Sequence, residues 1–336
     1  MNLKTKITEI HYNKSAKGFF VSLLDFASLF YGIGSGLKNI LYDKGIIKPK
    51  KVEAFVISVG NITTGGVGKT PVVSEIAKYL LDKGEKVAIV SRGYGGKLSN
   101  KNVNIISDGN NVFYDAKDAG DEPYWLASNT NGAIVATCRN RYLASKFVIE
   151  KYGVTNIILD DGFQHRKLYR DLDIVLMDSE KGFGREKLLP AGPLREGLEA
   201  FKRIDRLVVV SKNIEHARAE KLAKIMNKKS GIKTLVCKTE PDKVYNIKTN
   251  ELLPQGAEAT AICAIGQPEQ FYAFLKDYNI KNKVSFDDHH SYLAEEIPQG
   301  TVITTEKDAV KMLQFERNDI YALKLKTNID VENLLA

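Results

Sequence analysis

The stretch that decides the fold runs from residue 54 to residue 81 and reads AFVISVGNITTGGVGKTPVVSEIAKYLL. Its first six residues form an apolar run that leads to a glycine, which is typical of a buried strand. A glycine-rich turn follows, and apolar residues then recur at helical spacing from residue 72 to residue 81. A strand, a glycine-rich turn ending in Gly-Lys-Thr and a helix form the layout of a phosphate-binding loop, or P-loop.

The chemistry of the turn explains its residues. Glycines let backbone N–H groups curve around a phosphate without Cβ clashes, and the helix N-terminus adds positive dipole charge. Lys69 can reach the β- and γ-phosphates, and the Thr70 hydroxyl can bind Mg²⁺. The strict motif has a glycine five residues before Gly68, where this chain has Thr63. A glycine-rich turn without a ligand is therefore the alternative.

The bulk composition sets limits on the architecture. A chain of 336 residues, 43% of them hydrophobic, is long enough for one large domain or two ordinary ones. Its three cysteines, Cys138, Cys237 and Cys263, lie far apart and form no CxxC motif. We therefore expect a reducing compartment and no disulfide framework.

The positive charge is concentrated at the N-terminus. The whole chain carries +8, and residues 1–51 hold nine lysines against three acidic residues, a net charge of +6. Such a segment suits an anionic membrane surface better than nucleic acid. Within it, residues 19–41 show apolar residues at helical spacing, but Asp25 and three glycines interrupt the apolar run, so a membrane span is not expected. The helix either covers the core or lies on a membrane.

Further along the chain, polar residues follow several predicted strands, where open α/β sheets bind their ligands. The strand at 87–90 leads into Ser91-Arg92-Gly93-Tyr94, and Gly120-Asp121-Glu122-Pro123 opens a helix. The strand at 156–159 ends in Asp160-Asp161, a pair suited to Mg²⁺ opposite a P-loop. Plain turns or helix capping remain the alternatives for these stretches. In the loop at 182–197, Arg195 is a candidate phosphate contact.

Strands alternate with helices up to about residue 212, which predicts an α/β fold: a P-loop-containing, mostly parallel sheet with helices on both faces. A second, smaller α/β domain follows. The predicted units are an amphipathic, membrane-associating N-terminal region (1–50), a P-loop core (51–233), a connector (234–258) and a C-terminal domain that closes the cleft (259–336). Asp287-Asp288-His289-His290 is compatible with a metal site, but a helix cap with solvated histidines is the simpler interpretation.

Taken together, seven motifs in matching order resemble the tetraacyldisaccharide 4′-kinase family of lipid A biosynthesis. They are Gly60–Ile62 with Gly65–Pro71, Ser91–Gly95, Gly120–Pro123, Asp160–His165, Gly192–Glu196, Asp288–His290 and Thr305–Asp308. The double-Asp motif and Thr-Glu-Lys-Asp are the most specific. The resemblance spans nearly the whole chain and implies transfer of the γ-phosphate of ATP to the 4′-hydroxyl of an acylated glucosamine disaccharide 1-phosphate, giving lipid IV-A.

The resemblance also implies roles for individual residues. Asp121 is the implied base, and His289 is the partner that orients or tunes it, because a lone exposed Asp is a weak base at neutral pH. Lys69 is the implied phosphate-binding lysine. Thr70, Asp160 and Asp161 are the implied Mg²⁺ site. Weaker candidates for substrate contacts are Arg92, Tyr94, Glu122 and Arg195. The residues expected to cradle ATP are Thr63, Thr64, Gly65, Gly66, Val67, Gly68, Lys69 and Thr70.

The same resemblance bears on location and partners. The family has a basic amphipathic N-terminal helix that associates with the inner membrane, so residues 19–41 are expected at the membrane surface, on the cytoplasmic face and peripherally bound, in a Gram-negative-type bacterium. The expected partners are the lipid substrate and that membrane, with no nucleic acid and no obligate protein partner. Because Asp121 and His289 belong to different halves, we expect domain closure to bring them together.

Three other functions compete with the kinase, and one of them, a non-catalytic lipid-binding module, leaves the Asp160-Asp161 pair unexplained. A membrane-associated regulatory ATPase has a similar deviant P-loop, but that class has lysine where this chain has Thr64. A GTP-binding switch would need an Asn-Lys-x-Asp element, and its nearest approach is Thr-Glu-Lys-Asp at 305–308, which lacks the Asn.

Overall fold

The structure is a computed structural model that describes residues 3–212, 216–266, 268–287 and 290–336. The strands within these ranges are β1 (Phe55–Gly60), β2 (Val87–Ser91), β3 (Asn104–Asp108), β4 (Ile134–Thr137), β5 (Asn156–Asp160), β6 (Leu172–Asp178), β7 (Arg206–Ser211), β8 (Lys233–Asn246), β9 (Glu258–Cys263), β10 (Asn279–Ser285), β11 (Val302–Thr305) and β12 (Ile320–Asn328). The helices are α1 (Leu3–Tyr12), α2 (Phe19–Asp43), α3 (Lys69–Asp82), α4 (Ala116–Ala119), α5 (Asp121–Asn129), α6 (Arg141–Tyr152), α7 (Ala217–Ser230), α8 (Pro268–Phe274), α9 (Glu306–Met312) and α10 (Val331–Leu335). Two short 3₁₀ helices lie at Leu198–Arg203 and Ala294–Glu296.

All of these strands join in one sheet, in the order β10-β9-β11-β12-β8-β7-β6-β1-β5-β2-β4-β3. Neighbouring strands run parallel except at β3–β4 and β8–β12. The predicted α/β fold with a mostly parallel sheet is therefore confirmed. Parallel strands need crossover connections, and the helices that supply them cover both faces of the sheet.

β1 lies at the centre of the first half, between β5 and β6. It is buried from Val56 to Gly60, as expected for a strand covered on both faces. α3 follows the P-loop and turns Val72, Val73 and Ile76 into the core below the sheet. This packing holds the loop between β1 and α3 at the carboxyl edge of the sheet, where parallel α/β folds bind ligands.

β8 connects the two halves within the sheet. Its residues 233–238 pair with β7, and its residues 238–246 pair with β12. The predicted connector at 234–258 thus contains most of this one 14-residue strand. The second half keeps its own cores around Phe271 and Met312. The boundaries of a separate domain at 259–336 stay a prediction.

α2 is one continuous helix of 25 residues, long and apolar enough by length and composition to cross a membrane. The expectation that Asp25 and the glycines would interrupt such a segment was wrong. Gly32, Gly34 and Gly36 lie inside the helix, and a Cβ at Gly32 would come 3.0 Å from Leu188 Cδ1. Close packing of the helix on the core thus accounts for a glycine that sequence alone presents as a helix breaker.

The inner face of α2 docks on the core through polar contacts. Asn39 Nδ2 donates to Glu196 Oε2 at 2.7 Å, and Lys38 Nζ donates to the Gln164 carbonyl at 2.9 Å. Its outer face exposes a row of large apolar side chains: Phe19, Leu23, Phe26, Leu29, Phe30, Ile33, Leu37 and Ile40. α2 is therefore amphipathic, with its apolar stripe turned away from the protein.

Candidate active site

The P-loop has the backbone shape that phosphate binding requires. Gly65 and Gly68 adopt positive φ angles of 105° and 93°, a region that favours glycine. α3 begins directly after Gly68, at Lys69. The loop therefore presents its N–H groups and a helix N-terminus at one point.

Thr63 is buried and forms an isolated β-bridge to Leu194. Pairing also continues beside it, because the Arg195 N–H donates to the Ile62 carbonyl at 2.7 Å. The segment around Gly192–Glu196 thus lies along the start of the loop. The departure from the strict motif at position 63 falls where the backbone pairs with Leu194, an arrangement that does not need glycine.

Lys69 points across the loop to the end of β5. Its Nζ lies 3.4 Å from Asp161 Oδ1 and 3.2 Å from Asn61 Oδ1. Asp161 also receives two hydrogen bonds from Arg195 Nη1, at 2.8 and 2.9 Å. Burial alone would raise the pKa of Asp161, but Lys69 and Arg195 bring it below its usual value. Asp161 is therefore held as a carboxylate beside the P-loop lysine.

The pKa of Asp160, the neighbouring carboxylate, is shifted in the opposite direction. Asp160 is buried, and its Oδ1 has no hydrogen-bond partner among the described residues. Burial, followed by the nearby Glu122, raises the pKa of Asp160 to about 7. A buried acceptor that resists ionisation is what a bound cation would relieve. The donor set therefore fits Mg²⁺, which commonly takes one or two carboxylates together with substrate phosphates.

Asp121 and Glu122 start α5 and line the same cleft as the P-loop. Lys311, at the end of the facing helix α9, places its Nζ 3.3 Å from Asp121 Oδ2. His289, the predicted partner of Asp121, lies outside the described residues, as does Asp288. The described part of the second half thus already reaches Asp121, through Lys311.

The weaker candidates fall around this cleft. Arg92 and Tyr94 follow β2 and line it, with Tyr94 76% exposed. Gly120 allows this loop to approach α5, because a Cβ there would lie 2.7 Å from the Tyr94 carbonyl oxygen. Arg195 was expected to contact phosphate, and the structure pairs it with Asp161 at the rim of the cleft. Its role toward substrate stays a prediction.

Of the positively charged side chains in the cleft that were not among the predicted site residues, three lie against its functional groups. Lys212, after β7, donates to the Gly66 carbonyl of the P-loop and lies 3.4 Å from Asp178 Oδ2. Lys311 contacts Asp121, and buried Arg141 lies near both Asp160 and Asp161. Position after a strand was a usable signal for Lys212, and Arg141 at a helix start was another. Lys311 lies in the last turn of α9, after no strand end or motif glycine, and gave no signal.

His165, the last residue of the double-Asp motif, also lines the cleft. Burial and the charge of Arg141 lower its pKa to about 4. It is therefore a neutral imidazole near neutral pH, and its Nε2 has no partner among the described residues.

The charged side chains of the cleft form two groups, one on each side. On one side, Lys69, Asp160 and Asp161 surround the mouth of the P-loop, which is the arrangement for holding a nucleotide triphosphate with a cation. On the other side, Asp121 faces the same space with a lysine behind it. Such a cleft can bring together a phosphate donor, a cation and a hydroxyl acceptor.

Comparison with known proteins identifies the family of this chain. A family model described as Tetraacyldisaccharide-1-P 4'-kinase matches residues 20–336. The Tetraacyldisaccharide 4'-kinase of Halothermothrix orenii is 37% identical over 331 residues, covering 90% of this chain and 84% of that protein. The one from Desulfotalea psychrophila is 38% identical over 326 residues, covering 91% and 92%. The crystal structure of LpxK from Aquifex aeolicus in complex with ATP is 33% identical with a TM-score of 0.77, covering 94% of this chain and 97% of that one. The chain therefore belongs to the tetraacyldisaccharide 4′-kinase family.

Proposed function

We propose that the cleft between the P-loop and α9 carries out the reaction of this family with the residues assigned below. The chain is a kinase of lipid A biosynthesis, which transfers the γ-phosphate of ATP to the 4′-hydroxyl of a tetraacyldisaccharide 1-phosphate to give lipid IV-A. The observation that carries the assignment of residues is the convergence of Lys69, the Asp160-Asp161 pair and Asp121 on one cleft.

The P-loop side holds the donor. Residues 63–70 cradle the triphosphate, with the N–H groups that follow Thr64 as the donors, and Lys69 neutralises charge on its β- and γ-phosphates. Asp160, Asp161 and the Thr70 hydroxyl would hold Mg²⁺, which supplies charge neutralisation to the phosphates when bound. When ATP enters, the Lys69–Asp161 pair has to open or be shared, because the phosphates compete with Asp161 for the same ammonium group.

The acceptor side holds the sugar hydroxyl. Asp121 accepts the proton of the 4′-hydroxyl as that oxygen attacks the γ-phosphorus, and His289 orients Asp121. Arg92, Tyr94, Glu122 and Arg195 line the remaining rim, where they contact the disaccharide and its phosphate. The cleft has a volume of about 3470 Å³. This exceeds a pocket for one small ligand, so it has room for ATP together with a disaccharide.

The outer face of α2 is the proposed membrane contact. Its apolar stripe is exposed, and lysines precede and follow the helix in sequence, the composition of a helix that lies in an anionic membrane interface. The inner face is anchored beside the site, where the Tyr31 hydroxyl donates to the Arg195 carbonyl at 2.9 Å. A helix docked along its length in this way favours peripheral attachment at the cytoplasmic face of the inner membrane. Substrate would then reach the cleft from the lipid surface.

The decisive experiment is a phosphorylation assay with ATP, Mg²⁺ and the disaccharide 1-phosphate in detergent micelles. We expect one phosphate to be added to the lipid, at the 4′ position, with ATP turnover that depends on the acceptor. ATP hydrolysis at the same rate with and without lipid, and no phosphorylated product, would instead identify a regulatory ATPase.

A further inference from the structure

α1 precedes the residues that the family model matches, yet its C-terminal end reaches the P-loop. The Tyr12 hydroxyl donates to the Thr64 carbonyl at 3.1 Å. Ile7, His11 and Tyr12 line the cleft together with the P-loop. This helix was not part of the predicted site, because neither its sequence nor the family motifs set it apart.

The hydrogen bond from Tyr12 is made to the Thr64 carbonyl, a backbone group whose direction helps to set the shape of the loop. A loop that turns its N–H groups toward a phosphate turns carbonyl groups away from it, and those carbonyls need donors of their own. Two side chains from outside the loop supply them: Tyr12 at Thr64 and Lys212 at Gly66. The Thr64 N–H is also engaged, because it donates to the Pro193 carbonyl at 2.7 Å. The peptide groups on both sides of Thr64 are thus fixed by residues distant in sequence.

Tyr12 is itself firmly placed. The preceding residue, His11, hydrogen-bonds through Nε2 to the Pro190 carbonyl at 2.9 Å, and its own carbonyl accepts from the Arg185 N–H at 2.9 Å. Ile10 packs with Val21, Leu24 and Ala191. Burial raises the pKa of Tyr12 to about 12, so its hydroxyl remains a donor across the physiological range. The same cluster ties α1 to α2 through Val21 and Leu24.

We propose that Tyr12 is a positioning residue that holds the P-loop in its phosphate-binding shape, and that α1 thereby connects the loop to α2. The inference rests on the proposed function of residues 63–70 as the triphosphate site. Tyr12 contacts the backbone of Thr64 from outside the loop, so it acts through the loop. Its effect is on ATP binding, because the hydroxyl lies on the donor side of the cleft, away from Asp121.

The test compares Tyr12→Phe with the wild type and with Lys14→Ala. Tyr12→Phe removes only the hydroxyl, while Lys14→Ala removes the 3.7 Å ion pair to Glu186 just after the same helix without touching the P-loop. ATP affinity is measured by calorimetry, and KM for ATP and kcat are measured in the micelle assay. We expect Tyr12→Phe to weaken ATP binding and raise KM for ATP by about three- to tenfold, the range for one hydrogen bond, with kcat changed much less. Lys14→Ala should match the wild type.

The results for the wild type and for the variants bear on different claims. A wild-type protein that binds no ATP would contradict the proposed function. Wild-type binding with the same ATP affinity in Tyr12→Phe would overturn only the positioning role, as would an equal loss of affinity in Lys14→Ala. All proteins are assayed well below their unfolding temperature, measured without nucleotide, so that a change in ATP affinity reports on the loop and not on unfolding.

Discussion

Lys311 Nζ lies 3.3 Å from Asp121 Oδ2 and joins the second half of the molecule to the start of α5. The two side chains are only 12% and 19% exposed. Lys311 also donates to the His290 carbonyl at 3.1 Å and lies 3.7 Å from the fully buried Asp308. A charge network of this kind, shielded from water, orients its members more strictly than a surface ion pair does. The proposed base is therefore held in place from across the cleft.

Lys311→Met should lower kcat by about ten- to hundredfold, because displacing the proposed base Asp121 by about 1 Å from its reactive position has effects of this size. KM for ATP should change little, since the P-loop is untouched. Steady-state kinetics in the micelle assay measure both quantities. Lys276→Met, an exposed lysine in the same half, is the matched control. An unchanged kcat would show that Lys311 has no part in orienting Asp121.

Asp121→Asn keeps the shape of the side chain but cannot accept a proton as a carboxylate can. We expect kcat to fall by about 10²- to 10⁴-fold, the usual contribution of a general base. ATP affinity, measured by calorimetry, should stay close to the wild-type value. Asp118→Asn, in the neighbouring helix α4, provides the comparison. Near-normal turnover in Asp121→Asn would remove Asp121 from its assigned role.

Lys69→Ala should reduce turnover by about 10²- to 10³-fold, because it removes a preorganised positive charge from the phosphates. It also leaves Asp161 with Arg195 as its remaining ion-pair partner among the described residues. Kinetics and far-UV circular dichroism, recorded together, distinguish loss of function from loss of fold. If the folded variant kept wild-type turnover, the role of Lys69 in phosphate binding would be refuted.

Asp160 predicts a pH dependence of stability in the absence of ligands. Its pKa is about 7 in the folded protein, against 3.8 for the unfolded chain, so the folded state binds more protons between these values. The contribution of Asp160 to the free energy of unfolding is therefore full below about pH 4 and is lost as the pH rises to about 7. Denaturant titrations from pH 4 to pH 8 measure it by comparison with Asp160→Asn.

The Asn variant should lack this contribution, so its stability relative to the wild type should improve steadily across that window. Above pH 7 the difference should stay constant. Parallel pH profiles for the two proteins would mean that Asp160 is ionised in the fold throughout, in conflict with its buried and unpartnered oxygen.

The apolar stripe of α2 predicts lipid binding. Replacing Phe26, Leu29 and Phe30 with serine should strongly reduce sedimentation with vesicles that contain anionic lipid, while thermal unfolding changes little because these side chains are exposed. Leu252→Ser is the control, since Leu252 and Phe30 are both 63% exposed but Leu252 lies outside the stripe. Equal sedimentation of all three proteins would argue against α2 as the membrane contact.

Much of the fold and half of the site follow from local pattern. The P-loop, the strands of the first half and the Asp160-Asp161 pair are each contained in a short stretch, where the alternation of apolar and turn residues reports the structure directly. The parallel sheet follows from the order of those stretches. The sequence alone therefore places the P-loop residues and the acidic pair at the same edge of the sheet.

The remaining contacts depend on residues far apart in the chain. The contacts of Lys311 with Asp121, of Lys212 with Gly66 and of Arg195 with Asp161 form only when the sheet brings distant segments together. The periodicity of the sequence therefore does not predict them. α2 shows the same limit in another way. Its glycines looked like interruptions, because the neighbour that favours a small residue at Gly32 is Leu188, more than 150 residues away.

β8 has a mechanical consequence for this enzyme. Around residues 238–243 it is hydrogen-bonded mainly to β12, so a two-stranded ribbon joins the two halves of the sheet. Such ribbons tolerate more twist than wide sheets do, but they resist being pulled apart because their ladder would break. We therefore expect the two halves to move relative to each other mainly by twisting of this ribbon.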